Sequence, residues 1–193
     1  MQIFDIIAAV LVLGASISLL WTEKWRINIL AVAIQYLGVF WFVAQVWPIG
    51  LASVKLISGW MAAAILGSSV NALGGLPVPT TAVSGKIFRI LAASLSVILA
   101  FSVAPNGTDW IPLTFPALFS SILLIGMGLL QLGMTSGPFR IILGLMNVLC
   151  GFEIIYAAVV SSILVAGLLA LVTLGIALTG AYWLSLLPVE EQP

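Results

Sequence analysis

The chain has 193 residues, of which six are basic and six acidic; the net charge is zero and 63% of the residues are apolar. Soluble domains use roughly 25% charged residues to keep their surface in water, so a charged share of 6% excludes a soluble globular fold, a disordered tail and a disulfide-stapled secreted fold. The composition defines an integral membrane protein.

A helix needs about 20 apolar residues to cross roughly 30 Å of hydrocarbon. The first such stretch is 3–21, ended by the polar knot Thr22-Glu23-Lys24-Trp25-Arg26. It starts with Asp5 where a signal peptide has a basic segment, and Trp21-Thr22-Glu23-Lys24 replaces a small-residue cleavage site, so it reads as a retained span. The second span is 27–46, followed by the short turn Trp47-Pro48-Ile49-Gly50. The third is 51–70, and the long connection 71–86 carries the breakers Gly74-Gly75, Pro77 and Pro79. The fourth is 87–104, closed by the turn signal Pro105-Asn106-Gly107-Thr108-Asp109. The fifth is 113–133, closed by Thr135-Ser136-Gly137-Pro138. The run 141–187 is 47 residues long and carries one charge, Glu153. As a single helix it would extend about 70 Å, more than twice a bilayer, so it divides into two spans with the reversal near Ser161-Ser162. The expected fold is an all-α bundle of seven transmembrane helices in one domain, 1–193, with four spans in 1–104 and three in 113–187. Continuous rather than alternating apolar runs exclude a β-barrel.

With seven spans, the loops after the first, third and fifth share a side with the C-terminus. They hold Lys24, Arg26, Lys86, Arg89 and Arg140, whereas the other side carries Asp109 and no cation. The positive-inside rule puts the C-terminus in the cytoplasm and the N-terminus outside, in the cell (inner) membrane. The seven tryptophans lie mostly near span ends, where interfacial anchoring explains most of them.

Several function classes fall away. The chain has no His, which removes His-ligated haem, His-based metal sites and a Ser-His-Asp triad. A lone Cys150 closes no intrachain disulfide, and no basic block offers a nucleic-acid footprint. A free-standing enzyme is the weakest reading, and no cofactor is expected.

The polar residues at membrane depth need a reason. Glu153 lies 12 residues past the start of its apolar run, near the expected midplane. An intramembrane carboxylate is by default a proton site or the partner of a buried cation; the competing reading is a neutral carboxyl hydrogen-bonded for packing alone. Lys55 stands just inside the third span. Its stem suits snorkelling to the interface, and if turned inward it suits pairing with a carboxylate or a place on a proton path. Gln35 and Asn147 read as interhelical hydrogen-bonding groups for assembly. Gly126 and Gly133 on the fifth span, and Gly144 and Gly151 on the sixth, each recur at a spacing of seven, so spans five and six are expected to meet along these lines.

Two sets of motifs resemble a known family. Trp25-Arg26-Ile27-Asn28, Gln35-Tyr36-Leu37 and Lys55 at the start of the next span resemble component E of the membrane-bound hydrogenase and formate-hydrogenlyase complexes. Ile125-Gly126-Met127-Gly128-Leu129, the turn Ser136-Gly137-Pro138-Phe139-Arg140 and Ile141-Ile142-Leu143-Gly144-Leu145-Met146-Asn147 resemble subunit K of respiratory complex I. There are two departures. The position after the glycine-leucine pair is Met146 rather than a Glu, with Glu153 seven residues on, and 160–187 holds no carboxylate where the family has its second.

The resemblance implies an accessory membrane subunit of an ion-translocating redox complex, without a redox cofactor of its own. It would contribute Glu153, and with it Lys55, to a lateral proton path. It would also bridge larger pump subunits to the arm that reacts with quinone or hydrogen, with other membrane subunits and lipids as partners. The alternatives from the residues alone are a small transport or substrate-binding component, such as the membrane part of a vitamin transporter, and a structural subunit of a respiratory or photosynthetic assembly. Against the transporter, a polar ligand calls for several convergent side chains, and this chain offers few.

Overall fold

A computed structural model describes residues 2–76, 83–135, 137–160 and 162–186. Pro77, Pro79, Ser136, Ser161, the side chain of Lys86 and both termini, on which expectations were placed above, lie outside the described residues. Seven helices are present among the described residues: α1 (Gln2–Trp21), α2 (Trp25–Ala44), α3 (Ile49–Ala72), α4 (Val83–Gly107), α5 (Phe115–Met134), α6 (Pro138–Val159) and α7 (Ile163–Ser185). Each contains a stretch long and apolar enough to cross a membrane, so the chain is an all-α polytopic membrane protein. The run 141–187 does break into two helices. Val160 closes α6 in an extended conformation, and extended Ser162 opens α7.

The helix ends follow local chemistry. Pro48 immediately precedes α3, and Pro116 and Pro138 sit in the first turns of α5 and α6, where a missing N–H costs nothing. α3 stops at Gly74, whose φ of +76° is open to glycine, with the Gly74 and Gly75 amides donating to the Asn71 and Val70 carbonyls. One expected stop fails. Pro105 does not end α4, which continues to Gly107. A proline in the last turn forfeits one backbone bond, and Thr108 N–H still reaches the Ala104 carbonyl at 3.3 Å.

Six helices close a ring in the order α1, α2, α3, α7, α6, α5 and back to α1, and α2 meets α6 across it. α4 lies outside the ring against α5, with a slight contact to α1. It buries only Ala100 and Ala104 among its described side chains and presents Ile87, Leu91, Leu95, Ile98 and Phe101 outward.

α5 and α6 approach closely through glycine, at the expected Gly144 and Gly151 on α6 but not at the expected pair on α5. A methyl on Gly128 would lie 2.8 Å from the Gly144 carbonyl oxygen, and one on Gly151 would collide with the Ser121 carbonyl. Gly126 instead looks toward Ser96 of α4 with ordinary room, and Gly133 faces open space. The α5 contribution is therefore Gly128, because the stripe on a helix is set by rotation as well as by spacing.

Lys24, Arg26, Arg89 and Arg140 gather at the end of the bundle where α1 finishes and α2 and α6 begin. Asp5 and Asp109 belong to the opposite end. These ends are called basic and acidic below.

Candidate functional site: a buried ion pair in a polar column

Lys55 lies six residues after the start of α3, and Glu153 six residues before the end of α6. Both those helix termini are at the acidic end, so the two side chains share a depth of about 9 Å from it, at 1.5 Å per residue. Lys55 Nζ donates to Glu153 Oε1 at 2.5 Å, and each side chain is 1% exposed. Lys55 thus does not snorkel, and Glu153 is the partner of a buried cation. α6 begins at Pro138, before the apolar run, which puts Glu153 about 7 Å from the helix centre.

Other helices complete the surroundings. Thr173 Oγ1 of α7 donates to the Leu169 carbonyl at 2.9 Å and lies 3.5 Å from Glu153 Oε1. The fully buried Tyr36 of α2 lays its ring where Gly59 of α3 has no side chain. Its hydroxyl lies among Cys150, Thr173 and Glu153, and the Gln35 side chain flanks the same thiol. Toward the acidic end the site is roofed by Trp47. That side chain is 3% exposed, and its indole N–H donates to the carbonyls of Ala157 at 3.0 Å and Val160 at 3.1 Å.

Gln35 and Asn147 are both buried in the interior, as expected of assembly groups. Asn147 is not hydrogen-bonded as expected, because neither of its amide atoms finds a partner in the described chain, whereas Gln35 reaches Cys150 of α6 and leaves only its Oε1 unpaired. Also unpaired are Ser16 Oγ, Asn28 Oδ1, Tyr36 OH, Arg140 Nη1 and Glu153 Oε2. All eight atoms belong to α1, α2 or α6. Leaving a buried polar atom unpaired costs about 1–3 kcal/mol. Eight such penalties together would rival the net stability of a typical domain, about 5–15 kcal/mol.

The basic end is tied by polar contacts that hydropathy does not reveal. The Thr22 carbonyl accepts from Arg140 Nη2 at 2.8 Å and from Asn28 Nδ2 at 3.2 Å. Gln131 Nε2 donates to the Arg140 carbonyl at 3.1 Å, and Arg89 lies 3.7 Å from Glu23. At the acidic end Asp5 Oδ1 accepts from Trp41 Nε1 at 2.9 Å and from Gln45 Nε2 at 2.7 Å, joining α1 to the end of α2. Ser16, Gln131 and Thr173 were visible as polar residues inside apolar runs, and that was the only signal for them in the sequence.

No group of three or more potential metal-ligating side chains occurs among the described residues. Two apolar clefts open on the outer surface, one of about 410 Å³ between α1 and α4 and one of about 670 Å³ between α1 and the start of α5, beside Phe101 of α4. Neither includes Lys55 or Glu153 in its lining. No protein-family model, curated protein or solved structure matches the chain.

Proposed function

We propose that this chain is an accessory integral-membrane subunit of an ion-translocating redox complex of the complex I and group 4 hydrogenase kind, and that Lys55–Glu153 is a proton-holding element on its lateral proton path. The observation that carries the reading is the ion pair itself, fully buried at membrane depth with one carboxylate oxygen unpartnered. A charge in that position is costly and is the usual mark of an ion or proton pathway. Further support comes from convergence. Tyr36 and Lys55, which with Gln35 carry the resemblance to the hydrogenase component, meet Glu153 from the part that resembles subunit K, and Gln35 meets the neighbouring Cys150. Thr173 stands beside Glu153 on the last helix, which has no carboxylate. A proton leaving Glu153 laterally would therefore be handed to a neighbouring subunit, consistent with a bridging role among larger membrane partners.

In this reading the basic end is cytoplasmic, the N-terminus is outside and the chain resides in the cell membrane. A second reading, a structural subunit, is favoured by one feature. Glu153 Oε1 is approached by both Lys55 and Thr173, so it clamps α3, α6 and α7. The two are separated by Glu153→Gln in the assembled complex. A proton-path role predicts less proton pumping per electron with electron transfer largely kept. Unchanged stoichiometry would leave the pair as a clamp. Purification in mild detergent tests the assignment to a complex: antiporter-like or iron–sulfur subunits should co-purify, and a monomer that binds a small molecule would defeat it.

A further inference from the structure

We infer that a hydrated half-channel runs from the basic end of the bundle to Glu153 and stops there, so that the ion pair exchanges water with one side only. The inference deepens the proton-path reading above, but it is carried by the geometry of the unpartnered polar atoms.

Helical geometry places Arg140, Asn28, Ser16, Asn147 and Gln35 along one line, and Tyr36, whose hydroxyl lies between Cys150 and Glu153, joins its inner end to the ion pair, since Glu153 itself points about 120° away from Asn147 on α6. Gly144, Val148 and Gly151 form the stripe of α6 that meets α5. At about 100° per residue, Arg140 and Asn147 fall on the flank between that stripe and Cys150, which faces Gln35 and Tyr36. On α2, Asn28 and Gln35 are two turns apart and share a buried face. Ser16 comes from α1, which packs on both α2 and α5.

The heights are evenly filled. Measured from the basic end at 1.5 Å per residue, Arg140 stands at about 3 Å, Asn28 at about 4.5 Å and Ser16 at about 7.5 Å. Asn147 follows at about 13.5 Å, Gln35 at about 15 Å, Tyr36 at about 16.5 Å and Glu153 at about 22.5 Å. No axial step exceeds about 6 Å, close to the span of two hydrogen bonds through one water. Buried polar atoms of this kind are the usual partners of internal water, which takes two to four hydrogen bonds at a site.

Beyond Glu153 the column ends. No unpartnered buried atom among the described residues lies nearer the acidic end. One turn past Glu153 on α6, the Trp47 indole is bonded to the Ala157 carbonyl, with Phe42, Ala52 and Ile154 buried in the same apolar cluster. In that layer the Trp47 N–H is already taken by backbone carbonyls, while the basic end of the line is built from Arg140, Asn28 and the Thr22 carbonyl.

The test is water-edited solid-state NMR of the nitrogen-15-labelled chain in lipid bilayers. Magnetisation from water should reach the side-chain amides of Asn28, Gln35 and Asn147 rapidly, and should not reach the Trp47 indole N–H. Asn28→Leu, at the mouth, should slow transfer to Gln35 several-fold. Asn28→Ser, which keeps a polar group, should restore it, and Trp47→Phe should leave it unchanged. Should Asn28→Leu fail to fold, Ser16→Ala gives the same reading one step deeper. Dry Gln35 and Asn147 amides in the native chain would overturn the half-channel, as would transfer that is indifferent to both mouth substitutions. The readout is independent of pumping. Hydration with unaltered stoichiometry in Glu153→Gln keeps the channel and removes the proton-path function, and the reverse result removes only the channel.

Discussion

Removing Lys55 while keeping Glu153 leaves a carboxylate that is 1% exposed without its cation. Breaking a buried pair from one side typically costs about 3–5 kcal/mol, because the remaining charge keeps its desolvation penalty and loses its compensation. Lys55→Met preserves the unbranched stem and removes only the ammonium, so the expected loss lies in that range. For a chain of about this size each kcal/mol moves Tm by about 2–4 °C. The single variant should therefore melt roughly 6–20 °C lower in detergent. Glu153→Leu alone should behave similarly, with the lysine now stranded. The double variant removes both charges and both penalties, and should return to within about 1 kcal/mol of the native chain. A double-mutant cycle, read by reversible unfolding in mixed micelles, gives the coupling directly. Additive losses, with the double variant as unstable as the two singles combined, would refute the pairing and the energetics built on it.

The other expectations can be checked separately. Gly128→Leu or Gly151→Leu should push α5 from α6 and cost about 1–3 kcal/mol or more, whereas Gly126→Ala should be near neutral by the same unfolding measurement, since its new methyl meets Ser96 at 3.5 Å. Asp5→Ala leaves the Trp41 and Gln45 donors unpaired and should cost about 1–3 kcal/mol; an unchanged Trp41 fluorescence environment would contradict the contact. In a fusion assay, alkaline phosphatase at the C-terminus should be inactive, and activity there would reverse the orientation drawn from the basic end.

How much of this was legible beforehand differs from element to element. Span number followed from hydropathy, since 20 apolar residues and a turn leave few options. Burial of Gln35, Asn147 and Glu153 also followed, because polar groups in apolar runs avoid lipid. Which of them meet did not follow. These helices are apolar nearly all round, so no polar face fixes their rotation, and spacing alone chose Gly126 where rotation selects Gly128. The Lys55–Glu153 pair depends on bringing α3 to α6 across 98 residues of chain. Nothing local to either residue encodes that meeting. Trp47 shows the converse: its place at a span end suggested an interfacial anchor, and tertiary packing made it a roof instead.

The separation of 98 residues between Lys55 and Glu153 also sets a problem for biogenesis. Translation at about 5–20 residues per second leaves Lys55 in the membrane roughly 5–20 s before its counter-ion emerges. During that interval α1 to α3 can insert, but the lysine must remain hydrated near the insertion site or be held by another factor. The pair can close only once α6 is in place. A chain truncated before α6 should be recognised as unfinished and degraded, however well its first three helices have crossed the membrane.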